Sequence, residues 1–133
     1  MLCNCSHGHL INNVTITLVD LNMETIADVS CSDFDYLFNQ GEKKIKILKS
    51  NIEFSQCQST LKHSQSIKNL KSFDVRGNIE LQFENKKEKY CFDRFARFYY
   101  NGRYFFNRRL LIYIVERGYG SHPKYLDTLH CNE

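Results

Sequence analysis

Residues 73–84 read FDVRGNIELQFE, and the alternation in that stretch decides the fold. Phe73, Val75, Ile79, Leu81 and Phe83 share one parity, interrupted only by Gly77. Asp74, Arg76, Asn78, Glu80, Gln82 and Glu84 take the other. Successive side chains of a strand point to opposite faces, so the pattern sets one face on a core and the other in water. A glycine in mid-strand predicts a bulge or sharp bend, which lets a long strand curl around a core.

Downstream, residues 85–88 form a polar turn and 89–93 read as a second strand. Residues 94–96 predict a tight reversal into a strand over 97–100. Asn101-Gly102 suits a type I′ turn, whose two central residues both need positive φ, and 103–106 return as the last strand of an antiparallel meander. Asn107 is placed to cap a helix over 108–117, with Leu111, Ile114 and Val115 inward and Gly118 at its end.

Upstream, residues 14–21 alternate, with Val14, Ile16 and Leu18 on one face, and read as a strand. Ser32 and Asp33 offer a capped start to a short helix over 33–38, carrying Phe34, Leu37 and Phe38 at helical spacing, with Gly41 to close it. In 43–49, Ile45 and Ile47 alternate with lysines and favour a strand over the opening of a helix. Residues 55–69, rich in Ser, Gln, Lys and His, read as a loop or a weak helix. The expected architecture is α+β: a curved antiparallel β-meander of four to five strands packed against a C-terminal helix, with one short additional helix. A flexible N-terminal segment (1–12) precedes the domain (13–120), and an irregular C-terminal tail (121–133) follows it.

The 133 residues suffice for one ordinary domain, and 42% hydrophobic with 25% charged residues is the balance of a folding chain. No apolar run approaches the roughly 18 residues of a membrane-spanning helix. Six cysteines permit disulfides without fixing their pairing. Cys91, within a strand pattern, reads equally well as a small buried apolar side chain. Leu2-Cys3 matches what the end of a lipoprotein signal leaves behind, which makes Cys3 the candidate for lipidation. The compartment is then extracytoplasmic, or cytoplasmic if Met1 is the true start.

The densest group of metal-type donors is Cys3, Cys5, His7 and His9. Cys-x-Cys is tighter than the pairs of structural zinc sites and no second pair completes it, so no metal or other cofactor is expected. Residues 86–109 hold eight basic and two acidic residues, +6, and the remaining ten basic and thirteen acidic residues give −3. The whole formal excess of +3 therefore arises in this aromatic-rich region. A single-stranded nucleic-acid platform combines cations and rings in this way. A meander, however, needs half of those rings for its core, leaving the arginines as an outward face.

No His-Glu-x-x-His, Gly-x-Ser-x-Gly or phosphate-binding glycine loop occurs, so the chain is not expected to be an enzyme. The expectation is a non-catalytic protein-interaction domain, inhibitor- or immunity-like, exported and lipid-anchored if Cys3 is modified. Its partner contacts are expected at Arg94, Arg97, Tyr99, Arg103 and Arg108. The alternative is a single-stranded nucleic-acid-binding domain using the basic aromatic hairpin, with Tyr99, Tyr100 and Tyr104 around Arg97 and Arg103.

Overall fold

In the computed structural model, which describes residues 10–131, the chain lays down β1 (Ile11–Leu18), α1 (Cys31–Leu37), β2 (Lys44–Leu48), α2 (Asn51–Leu61) and β3 (Gln65–Ile67). It continues with β4 (Gly77–Phe83), β5 (Lys87–Phe92), β6 (Arg97–Tyr100), β7 (Arg103–Phe106) and α3 (Arg108–Tyr119). The strands form one antiparallel sheet in the order β2-β1-β4-β5-β6-β7-β3. The α+β class is as expected, and β4 to β7 form the meander. The sheet has seven strands because β1 and β2 extend it beyond β4, while β3 closes the far edge against β7. β3 comes from the segment read as a loop or weak helix, which divides into the second half of α2 and this short edge strand.

Turn chemistry sets the meander. Asn101 and Gly102 both have positive φ (52° and 81°), as a type I′ turn requires. At the preceding reversal Ala96 also takes positive φ, 62°, which costs a non-glycine residue about 1 kcal/mol. Asp93 holds it there. Its buried carboxylate accepts from the Phe95 and Arg97 backbone N–H groups at 2.9 and 3.0 Å and from Arg97 Nε at 2.7 Å.

One face of the sheet carries Val14, Ile16, Leu18, Ile79, Leu81, Phe92 and Phe98, all essentially buried under α2 and α3. α3 contributes Leu110, Leu111, Tyr113, Ile114 and Val115. Asn107 caps α3 as expected, accepting from Leu110 N–H at 2.9 Å. Its amide also donates to the Thr60 carbonyl and Ser64 Oγ, tying the end of α2 to the start of α3. Gly120, with φ 85°, ends this helix in place of Gly118. Gly118 lies inside α3, where an added Cβ would sit 2.8 Å from Leu18 Cδ2.

Gly77 stands at the expected irregularity: Arg76 N–H donates to the Phe92 carbonyl at 2.8 Å while Gly77 also lies opposite Phe92, and the strand changes face there. Gly77 pairs in register with Leu18 and Phe92, and an added Cβ would lie 2.3 Å from the Phe92 ring and 2.6 Å from the Thr17 carbonyl oxygen. The glycine is required by close approach. A second irregularity, a register shift in β1, falls between Ile11 and Asn13.

The second face carries a separate, smaller core of Val19, Val29, Phe34, Phe38, Val75 and Cys91 under α1. Val75 belongs here and not with Ile79, so the single apolar parity expected over 73–83 changes face at Arg76 and Gly77. Cys31, in the first turn of α1, forms a disulfide with Cys91 of β5 across 60 residues, with 5.8 Å between their Cα atoms. The reading of Cys91 as only a small buried apolar residue is thereby corrected. Ser30, not Ser32, caps α1 by accepting from Asp33 N–H. Phe38 ends the helix, not Gly41. The tail includes a 3-10 turn at Lys124–Thr128 that buries Leu126 against the larger core.

Candidate protein-interaction surface

Residues 19–30, between β1 and α1, contain no regular element, yet they are held in place by a buried cation. Arg76 donates from Nε to the Met23 carbonyl at 2.9 Å and from Nη2 to Thr25 Oγ1 at 3.4 Å. It is bidentate with Asp74, 2.8 Å from Nη1 and Nη2, Nη1 also donates to the Val75 carbonyl at 2.9 Å, and Asp74 accepts from Val29 N–H at 2.7 Å. Val75 N–H donates to the Val29 carbonyl at 2.9 Å. A buried guanidinium must be paired, and here its donors are distributed between a carboxylate and the loop backbone. The alternation in 73–84 assigned Asp74 and Arg76 to water. They instead fix this loop.

The outcome is a rigid loop with an apolar tip. Ile26 is fully exposed, with 107% relative accessibility. Beside it runs a groove of about 540 Å³ between the loop and the end of α1, floored by Val29 and Phe38 and flanked by the half-exposed Leu37. Glu24, Asp28, Asp33 and Glu42 also line it, with no basic residue among the lining. None of these four carboxylates forms an ion pair among the described residues. Asp33 accepts from Tyr36 OH and Glu42 from Asn39 N–H. On a chain of formal charge +3, this is a local reversal of sign.

On the other side of the same loop lies a polar cleft of about 350 Å³, lined by Glu24, Asp28, Asp93, Arg94, Phe95 and Arg97 among others. The Arg94 and Arg97 guanidinium groups lie 4.9 and 5.1 Å from the centroid of the partly exposed Phe95 ring. Burial pushes the Asp93 carboxyl above its ordinary pKa, and Arg97 opposes that rise.

The five residues expected to bind a partner do not gather. Arg94 and Arg97 share the polar cleft. Tyr99 packs against Tyr104, with ring centroids 5.0 Å apart, and Tyr104 packs in turn against Phe73. Arg103 pairs in register with Tyr100 and so faces the opposite side of the sheet from Tyr99. Arg108 donates to the Asp127 carbonyl and ties the tail to α3. The strand period therefore divides the basic aromatic hairpin between two faces, and Arg97 and Arg103 do not share one ring of tyrosines. Cys3 and the Cys3, Cys5, His7 and His9 group lie outside the described residues.

Sequence reasoning missed the loop because nothing in residues 19–30 is periodic. The one local signal was Ile26, an isolated branched apolar residue among polar ones.

Other reactive side chains have structural surroundings. His122 lies between Glu116 and Asp127, at 2.7 Å from Nδ1 and 2.8 Å from Nε2, and these hydrogen bonds raise its pKa. With both ring nitrogens engaged by carboxylates, His122 ties the tail to α3. Cys57 is buried, and desolvation pushes its thiol up to about 12, far from the thiolate a nucleophile needs. Among the described residues, no group of three or more His, Cys, Asp or Glu side chains is placed to hold a metal ion. No helix among them is long and apolar enough to cross a membrane. The chain matches no protein-family model, no curated protein and no solved structure.

Proposed function

We propose that this protein is a non-catalytic interaction domain that binds a protein partner through the loop at residues 23–29 and the groove beside α1. One observation carries this reading: a loop anchored by buried Arg76 holds Ile26 fully in water beside four carboxylates that form no ion pair among the described residues. Exposing a branched apolar side chain is unfavourable, and clustering like charges adds to the cost, so both features favour being covered. Because the loop is already ordered, association loses little conformational entropy there. The matching partner surface has an apolar pocket for Ile26 and a rim of Lys or Arg.

Export fits the same reading. The Cys31–Cys91 disulfide is the kind of link that persists in oxidising compartments, and lipid attachment at Cys3 would place the domain at a membrane surface.

The test is recovery of a partner by the immobilised protein and by two variants, Ile26→Asp and Glu24→Lys/Asp28→Lys. The wild type is expected to yield a stoichiometric complex that can be rebuilt from purified components and weakens as salt rises. Both variants should lose the complex while retaining the wild-type melting temperature, and Arg103→Gln should keep it. A complex that survives both loop variants would sink this assignment. So would salt-dependent binding of oligonucleotides with no protein partner, the outcome expected of a nucleic-acid-binding domain.

A further inference from the structure

On the side of the sheet away from Tyr99 and Tyr104, the open end of the meander encloses a pocket of about 320 Å³ between β5, β6, β7 and the α2–β3 connection. Its walls are preformed. Tyr90 and Tyr100 stack at 4.4 Å between ring centroids, and Phe105 meets Tyr90 edge-on at 6.1 Å. Leu61 supplies an aliphatic side. Phe105 is itself stacked on fully buried Phe98 at 5.4 Å, so this wall is continuous with the core.

The polar groups at the mouth are unengaged. Arg103, Tyr100 and Ser66 line the pocket, and their side-chain polar groups make no hydrogen bond or ion pair among the described residues. The neighbouring polar groups, by contrast, are fully used. Tyr90 OH donates to Glu88, which also pairs with Lys86, and Ser64 donates to the Leu61 carbonyl while accepting from Asn107. A cation and hydroxyl donors over an aromatic wall complement a flat ring bearing negative charge. The volume lies at the lower end of the range for small-molecule sites.

We propose that this pocket binds a small planar ring carrying an anionic group, with Tyr90, Tyr100 and Phe105 holding the ring and Arg103 the anion. The site is separate from the loop at residues 23–29 and does not depend on partner binding. Carboxylate and phosphate anions share this chemistry, and the probes separate them.

The experiment titrates the isotope-labelled full chain with adenosine 5′-monophosphate and with indole-3-acetate at millimolar concentrations. Neutral adenosine and indole serve as controls, and the observables are the Arg103 side-chain and Tyr100, Ser66 and Phe105 backbone resonances. The expected result is saturable shifts at these positions with at least one anion and weaker binding of its neutral counterpart. Arg103→Gln should weaken the anion about tenfold, the lower end for a charge-assisted contact at an open site, and leave the neutral ring unchanged. Shifts with adenosine 5′-monophosphate alone would assign a phosphate, and shifts with indole-3-acetate alone a carboxylate. Either result supports the site. No shift at these residues, equal binding of anion and neutral ring, or an affinity unaffected by Arg103→Gln would overturn it. Oligothymidylate binding with both small anions silent would also overturn it, because recognition would then need a longer surface than the pocket offers.

Discussion

The two faces of the sheet are covered in different ways. On one face, α2 and α3 close a continuous core from Ile11 to Leu126, built by many interchangeable apolar contacts. On the other, the seven-residue α1 covers a small cluster, and a few single links hold it: the Cys31–Cys91 disulfide, Lys89 on Asp35 at 2.7 Å and Arg76 beneath the adjacent loop. Burial works to raise the Asp35 pKa, but Lys89, Asn78 and Lys43 together hold it below the ordinary value. A face held by many weak contacts fails only when the close packing itself is broken. A face held by a few links fails one link at a time and locally. The proposed partner surface lies on the second face, and of residues 19–30 Leu21 packs into the main core while Val19 and Val29 join the smaller one.

The largest expected effect breaks the first face. Gly77→Val drives a side chain into the Phe92 ring and the Thr17 carbonyl, and neither β1 nor β5 can retreat without losing its ladder. Urea unfolding should show a loss of at least about 3 kcal/mol, or no folded protein. A loss below about 1 kcal/mol would mean that the helix-covered face is looser than its packing implies.

Arg76→Ala comes next and sharpens the contrast. It leaves Asp74 partly buried without its cation and frees the Met23 and Thr25 contacts, at a cost of about 3 kcal/mol. Hydrogen exchange should accelerate at the amides of 23–29 and stay unchanged in α3. Uniform acceleration across the chain would show that the two faces are not independent.

The smallest global effect is expected for Cys31→Ala/Cys91→Ala. Removing a link across 60 residues should cost about 2 kcal/mol, with the fastest new exchange in α1. Equal exchange rates in α1 before and after the substitution would show that Phe34 and Phe38 hold the helix without the disulfide.

The meander and α3 were legible because their signals are local. Asn101-Gly102 demands one turn type, Asn107 caps within three residues, and the alternation of 79–83 repeats every second position. The same periodicity misassigned Asp74 and Arg76, since alternation reports only which side a residue faces. On this sheet both sides are partly covered. The candidate surface was scarcely legible: the links that shape the 19–30 loop reach from Met23 and Val29 to Arg76 and Asp74, some 45 to 53 residues away.

The sequence by itself determined the α+β class, the order of the meander strands, both of its tight turns and the capped C-terminal helix. Each rests on interactions among residues close along the chain, where spacing is a sufficient guide. Tertiary structure alone decided that Cys31 meets Cys91, that β3 closes the far edge of the sheet and that Arg76 is buried beneath the loop. It also decided that Arg94 and Arg97 line a cleft with Glu24 and Asp28, that Leu61 and Ser66 meet Tyr90 and Tyr100 around a pocket, and that Arg108 ties down the tail. Those outcomes depend on which distant segments share a face once the sheet has closed, and local patterning carries no such information.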